Sequence, residues 1–209
     1  MLKDITYKDF KFKVIDSEYR NHESIYEFYT ELDLKERYIH DLDTFVDVGA
    51  AYGGYTIISA LQGIKTISFE PNYTIFQILV NNVDVNNLKD VTLYNYGLGK
   101  EENKLRYNEQ YQTTLLDGEH EIVIKTLDEF IDEIKGNTLI KIDTEGMELD
   151  VLKGASNILK LHPKLLIEVH ENVPWLNLHY KQDIIDYLKS YDYEIKNETS
   201  EGRIFIYSS

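Results

Sequence analysis

"TFVDVGAAYGGYT", residues Thr44 to Thr56, decides how the chain folds. Five mostly apolar residues run into a group of small ones, and three of the 11 glycines fall within the six positions Gly49 to Gly54. A strand ending at Val48, a tight turn and then a helix accounts for all three parts. Glycine permits positive φ and lets a ligand lie against the backbone, while the first helical turn offers unpaired N–H groups to an anion. A nucleotide-like cofactor suits such a turn.

From Thr44 onward, apolar runs of strand length alternate with segments of helical period, the pattern of a parallel sheet covered on both faces. Strands are expected at 44–48, 65–69, 91–96, 138–142, 164–169, 191–196 and 203–207, with helices at 54–62, 71–85, 147–160 and 181–189. Pro71 stands in the first turn of the second helix, whose stripe is Ile75, Leu79 and Val83. "NETSEG" is too short for a crossover, so the last strand is expected to run antiparallel. The result is an α/β sandwich forming one domain over residues 44–209. Residues 1–43 read as a helical cover, with Ile25, Phe28, Tyr29 and Leu32 at helical spacing.

The 209 residues are enough for one well-buried core. With 22 basic against 37 acidic side chains the formal charge is −15, which repels phosphate backbones and anionic headgroups, so no nucleic-acid partner is expected. Absence of cysteine excludes disulfides and thiolate metal sites. "MLKDITYKDFKFKV" alternates charge with apolar residues and builds neither a signal peptide nor a membrane span, which predicts a soluble cytoplasmic protein.

Glu70 ends the second expected strand in "TISFEP", 21 residues beyond Gly49, where a carboxylate can accept hydrogen bonds from both hydroxyls of a ribose. The same residues are compatible with a turn that only packs helix on strand and an acid that only caps the next helix. Dinucleotide sites favour G-x-G-x-x-G, whereas this turn reads Gly49-Ala50-Ala51-Tyr52-Gly53-Gly54 and lacks the middle glycine. Asp47 just ahead of it suits a cationic amino or sulfonium group better than a pyrophosphate. S-adenosylmethionine carries both cations and a carboxylate for the turn.

Four stretches, "FVDVGAAYGGYT", "ISFEPNYTIFQILVNNVDVNN", "LIKIDTEGMELDVLKGA" and "LLIEVH", together with "TLDEF", cover most of residues 44–170 and resemble the FkbM-type methyltransferases. That family has the class I, Rossmann-like S-adenosylmethionine-dependent fold, which implies a mostly parallel seven-stranded sheet with an antiparallel last strand. The resemblance places the methionine part of the cofactor at Asp47, Gly49, Ala50 and Gly53, with Tyr52 in the same turn. It places the ribose at Glu70 with Pro71 beside it, and the adenine near Asn95, Tyr96 and Gly97. The family's usual asparagine in the turn is replaced by Ala51, which leaves only a backbone contact there. "IYEF" at 25–28 also resembles a glutamate-containing segment of the family.

Two of the central strands are interrupted by charge. In "TLIKID" Lys141 and Asp143 share a face, as do Glu168 and His170 in "KLLIEVH". Lys141 is expected to be neutralised by Glu168 or Asp143, as a structural ion pair or in a direct catalytic role. Asp143, Glu145 and His170 occur where strands end, on the carboxyl edge where α/β proteins bind ligands. His170 is the first candidate for a general base because imidazole titrates near neutrality, and it could equally close its strand by a hydrogen bond. Asp143 is the second candidate and a further cofactor contact, while Glu145 orients the acceptor or caps the next helix. Asp143, Glu145 and Glu148 suggest Mg²⁺ or Ca²⁺, but Glu148 lies on the helix and no further oxygen ligand is evident in the spacing, so no metal is assigned.

Three functions fit. The resemblance implies an O-methyltransferase acting on a glycan or small-molecule hydroxyl; a nicotinamide-dependent oxidoreductase or epimerase and a silent cofactor-binding module are the others. Residues 107–121 and 171–180, with Tyr111, Trp175 and His179, are expected to line the acceptor pocket.

Overall fold

Burial on both faces calls for near-continuous apolar strands; Thr44–Val48 and Thr138–Ile142 are buried along their whole lengths, and Asp47 and Lys141 are the charged exceptions within them. The computed structural model describes residues 2–7, 10–16, 38–107, 120–170, 180–200 and 203–208. In chain order the strands are β1 (Leu2–Tyr7), β2 (Phe10–Ile15), β3 (Thr44–Val48), β4 (Lys65–Phe69), β5 (Val91–Tyr94), β6 (Gly97–Leu98), β7 (Asn103–Tyr107), β8 (His120–Lys125), β9 (Thr138–Ile142), β10 (Lys164–Val169), β11 (Ile195–Ser200) and β12 (Arg203–Ser208). The α-helices are α1 (Gly54–Leu61), α2 (Tyr73–Val85), α3 (Glu148–Lys153), α4 (Ser156–Leu159) and α5 (Tyr180–Lys189).

The main sheet has the order β11-β12-β10-β9-β3-β4-β5. Strands β10, β9, β3, β4 and β5 are parallel, and β12 is antiparallel to both its neighbours. The chain leaves β3 toward β4 and β5 and later returns on the other side as β9 and β10. The strand order therefore reverses at β3, and a ligand crevice is expected outside its carboxyl end. The core holds Val46, Ile67, Ile140 and Ile167 from the sheet and Val151, Leu152, Ile184 and Leu188 from the helices.

Several expected boundaries shift for local reasons. The second helix starts at Tyr73 because Asn72 caps it, its side chain accepting from the Ile75 amide, so Pro71 precedes the cap instead of lying in the first turn. The single helix expected over 147–160 is two. Gly154 passes so close to the Gly99 carbonyl that a Cβ would collide with it. Asp128 then accepts hydrogen bonds from the amides of Asn157 and Ile158 at the start of α4. The strand expected over 91–96 stops at Tyr94, and Gly97–Leu98 joins a separate sheet of order β6-β8-β7. "NETSEG" is mostly strand, since Asn197 to Ser200 belong to β11 and pair with β12.

The start of the expected helical cover is a β-hairpin, β1 paired antiparallel with β2. Its face of Ile5, Phe12 and Val14 packs with Tyr52, Ile57, Ile58, Ile75 and Ile78. Two asparagines of α2 and its end hold it: Asn82 Oδ1 accepts from the Ile15 amide, and Asn86 accepts from the Lys13 amide and donates to the Lys13 carbonyl. The helical spacing at 25–32 and the "IYEF" match lie outside the described residues. No helix among the described residues is long and apolar enough to cross a membrane.

Candidate functional site

At the carboxyl end of β3 the chain turns through Gly49 (φ 77°), Ala51 (φ 45°) and Gly53 (φ 95°) into α1. A Cβ on Gly49 would strike the Asp143 carbonyl, so glycine is what lets the turn lie against the end of β9. The turn's own donors are largely spent within the protein. Gly49 and Ala50 both donate to the Phe69 carbonyl, Gly53 donates to Ala50, and Ala51 donates to Glu70 Oε2 at 3.0 Å. Glu70 Oε1 accepts from the Asn72 amide at 2.8 Å, so one carboxylate gathers the turn after β3 and the turn after β4. Asn95, directly after β5, fastens the same place, donating to the carbonyls of Glu70 and Pro71.

Beneath the turn, Asp47 is wholly buried. Its Oδ2 accepts from Thr56 on α1, whose hydroxyl also meets Ser68 on β4. Its Oδ1 lies 3.4 Å from the Lys141 ammonium, which donates to the Gly49 carbonyl and stands 3.2 Å from Asp143 Oδ2. Lys141 is thus neutralised by Asp143, one of the two partners its sequence suggested, and by Asp47, which was not among them. Asp47 faces inward to this pair instead of standing at the strand tip.

Next to Asp143, β10 delivers Glu168 and His170 on the same face. His170 Nδ1 is 2.9 Å from Glu148 Oε1. Its Nε2 faces three other carboxylates: Asp143 Oδ1 at 3.7 Å, Glu145 Oε2 at 3.6 Å and Glu168 Oε1 at 3.7 Å. Glu148, fully buried, accepts from the amides of Gly146 and Thr144 on Oε1 and from the Tyr180 hydroxyl on Oε2. Glu148 and not Glu145 therefore satisfies the amides ahead of α3. Glu145, in the left-handed region at φ 53°, leaves 58% of its side chain open.

These neighbours set the charge states. Burial opposes a charge on His170, but the Glu148 bond and then the charges of Asp143, Glu145 and Glu148 outweigh it and push its pKa up to about 9. Titration near neutrality, the reason for choosing His170 as base, does not hold in this environment. Burial, and then the Asp143 charge, raise the Glu168 carboxyl well above its ordinary range against the pull of His170 and Lys141.

Asp47, Gly49, Ala50, Gly53, Glu70, Lys141, Asp143, Glu145 and His170 accordingly meet around the ends of β3, β4, β9 and β10. Tyr52 is turned the other way, into the cluster under the hairpin. Gly97 lies against Ile124, whose side-chain tip would have to shift to admit a Cβ there. Tyr111, Trp175 and His179 lie outside the described residues. Sequence reasoning considered Glu148 only as a metal ligand and missed its hold on His170, and it missed Tyr180 and Thr56.

Residues 47–195 match the profile of the Methyltransferase FkbM domain. The chain belongs to this family. Among curated proteins it is similar to the hexuronic acid methyltransferase AglP of Haloferax volcanii, 30% identical over 141 residues that are 63% of this chain and 57% of the relative. The match thus spans little more than half the length of that relative. Two solved structures share the fold. One is the precorrin-6y C5,15-methyltransferase of Geobacter metallireducens GS-15, with a TM-score of 0.53 and 12% identity over 94% of this chain and 92% of that one. The other is a SAM-dependent methyltransferase of Aquifex aeolicus, with a TM-score of 0.53 and 14% identity over 92% and 93%. The FkbM methyltransferase domain takes S-adenosylmethionine as its cofactor.

Proposed function

We propose that this FkbM methyltransferase moves a methyl group from S-adenosylmethionine to a hydroxyl oxygen of a sugar acid or related glycan. The observation that carries the reading is the open rim of the carboxylate–histidine cluster, directly beside the glycine turn. Similarity to a hexuronic acid methyltransferase supports the acceptor class.

The cofactor's groups fit the residues at this end of the sheet. Each Glu70 oxygen accepts one backbone N–H, which fixes the carboxylate at the end of β4 where a ribose hydroxyl would meet it. The turn into α1, with Gly53 at φ 95°, is where the cofactor's carboxylate would lie against the backbone. Asp143, whose backbone carbonyl abuts Gly49 and whose Oδ1 faces His170, is suited to the amino group. Asp47 supports this indirectly by holding Lys141 under the turn. Asn95 holds the Glu70–Pro71 backbone and bounds the adenine side.

When bound, S-adenosylmethionine supplies an electrophilic methyl on a sulfonium leaving group. The chain's part is to hold the acceptor oxygen in line with it, which is where most of the rate comes from. A bond forms from that oxygen to the methyl carbon as the carbon–sulfur bond breaks, its electron pair staying on sulfur. The acceptor proton passes to Glu145, the carboxylate at this cluster that is most open to an incoming hydroxyl, a contribution of roughly 10²–10⁴-fold. His170, anchored through Nδ1, fixes where that rim lies.

Incubation with methyl-labelled S-adenosylmethionine and paired oligosaccharides ending in glucuronic acid or glucose tests the reading. Label is expected on the uronic-acid member and should survive mild alkali, as an ether does. Alkali-labile label would put the methyl on the carboxylate and refute hydroxyl transfer; no label on either sugar would refute the acceptor class.

A further inference from the structure

Asp143, Glu168 and His170 each turn one ligating atom toward a common point, all within 4.8 Å of one another. We propose that these three residues hold a divalent first-row cation of the Mn²⁺ type. They stand on the adjacent parallel strands β9 and β10, or directly after them, so the sheet register fixes their spacing. The sequence does not show the set because its members come from two strands more than twenty residues apart.

Three features distinguish this from a chance gathering of acids. The set is mixed, an imidazole nitrogen with two carboxylates, and such donors suit Mn²⁺ or Zn²⁺ better than Mg²⁺ or Ca²⁺, which take oxygen. The imidazole is already oriented: Glu148 holds Nδ1, and is itself held by Tyr180 and two backbone amides, leaving Nε2 for the common point. A buried carboxylate behind a ligating histidine is the usual means of fixing such a ring. Finally, the oxygens divide their work. Asp143 gives Oδ2 to Lys141 and directs Oδ1 at the cluster.

The Nε2 to oxygen separations of 3.6–3.7 Å are too long for hydrogen bonds. Donors bonded to one ion at about 2.1 Å stand about 3–4.3 Å apart, so inward shifts of a few tenths of an ångström close the site. The rim beside Glu145 leaves coordination positions open to outside oxygens. Resting on the acceptor class proposed above, a hydroxyl next to a carboxylate would chelate there, and the ion would acidify it before its proton passes to Glu145.

The test needs neither cofactor nor acceptor, so an error in the acceptor class leaves it intact. The full chain, stripped with chelator and dialysed, is titrated with MnCl₂ while free Mn²⁺ is followed by electron paramagnetic resonance, and the bound ion is examined by pulsed methods. One saturable site per chain with nitrogen modulation from an imidazole is expected. Asp143→Asn and Glu168→Gln should each weaken it at least about tenfold, and Asp84→Asn on α2 should not. Absence of a saturable site, absence of nitrogen modulation in the wild type, or binding unchanged in both cluster variants would overturn the proposal. Nitrogen modulation is read on the unmutated protein, so the decision stands even if the variants fail to fold.

Discussion

Glu70 Oε2 accepts the Ala51 amide proton at 3.0 Å, which ties the end of β4 to the turn after β3. The donor is a residue held at positive φ, and the acceptor's other oxygen holds the Asn72 amide. Glu70→Gln would turn one acceptor into an NH₂ that faces a backbone donor. A loss of about 1.5–3 kcal/mol in urea unfolding is expected, together with weaker S-adenosylmethionine binding by calorimetry. Loss of stability with unchanged cofactor affinity would leave Glu70 as a brace only.

The hairpin offers a second prediction. Asn82 is fully buried, accepting from Ile15 and donating to the carbonyl of Tyr52 in the glycine turn. Asn82→Ala takes one hydrogen-bond partner from each of two backbone groups, at about 1–3 kcal/mol each. Faster hydrogen exchange should follow at Phe10 to Ile15 and in the turn, with the β9 and β10 amides unaffected.

That hairpin also shows what the sequence conceals. Phe10, Phe12 and Val14 alternate with Lys11 and Lys13, a period-two signal, yet so short a run gives no hint that α2 supplies its partners. The parallel strands are legible because burial on both faces leaves only apolar residues, and the exceptions Lys141, Asp143 and Glu168 therefore stand out. Glu148 does not stand out. On the sequence it is one acid in a charged helix, and its burial depends on His170 and Tyr180, 22 and 32 residues further on.

Lys141 and Asp47 are coupled in the dry interior at 3.4 Å. Lys141→Met strands the buried Asp47, at a cost on the order of 3–5 kcal/mol. Adding Asp47→Asn removes the stranded charge, so the double variant should be more stable than the sum of the two single changes predicts. A double-mutant cycle in urea checks it; strict additivity would mean that the Thr56 hydroxyl satisfies Asp47 without help from Lys141.

Tyr94 donates to Glu133 at 2.7 Å, and that bond, then burial and the Glu133 charge, push the phenol up to about 12. A folded-state pKa above the unfolded one means that the native state holds this proton more tightly. The stabilisation is complete below about pH 10 and is lost as pH rises toward about 12. The difference in tyrosinate absorbance between wild type and Tyr94→Phe should show this late step.

Glu145 occupies the left-handed region at φ 53°, a conformation that costs a non-glycine residue roughly 1–2 kcal/mol. Its carboxylate also stands in a cluster already crowded with acids, and its charge adds to the elevation of Glu168. Structural economy alone would favour glycine here. Glu145→Gly should therefore unfold at higher urea concentration, the relief of strain exceeding the roughly 0.5–1 kcal/mol of added chain freedom. If Glu145 takes the acceptor's proton, the same variant should lose roughly 10²-fold or more in kcat with little change in cofactor affinity. Glu145→Gln separates the two effects, because it retains the strained backbone and removes only the base. It should match the glycine variant in kcat without matching its stability, and full turnover in Glu145→Gln would move the proton acceptor elsewhere in the cluster.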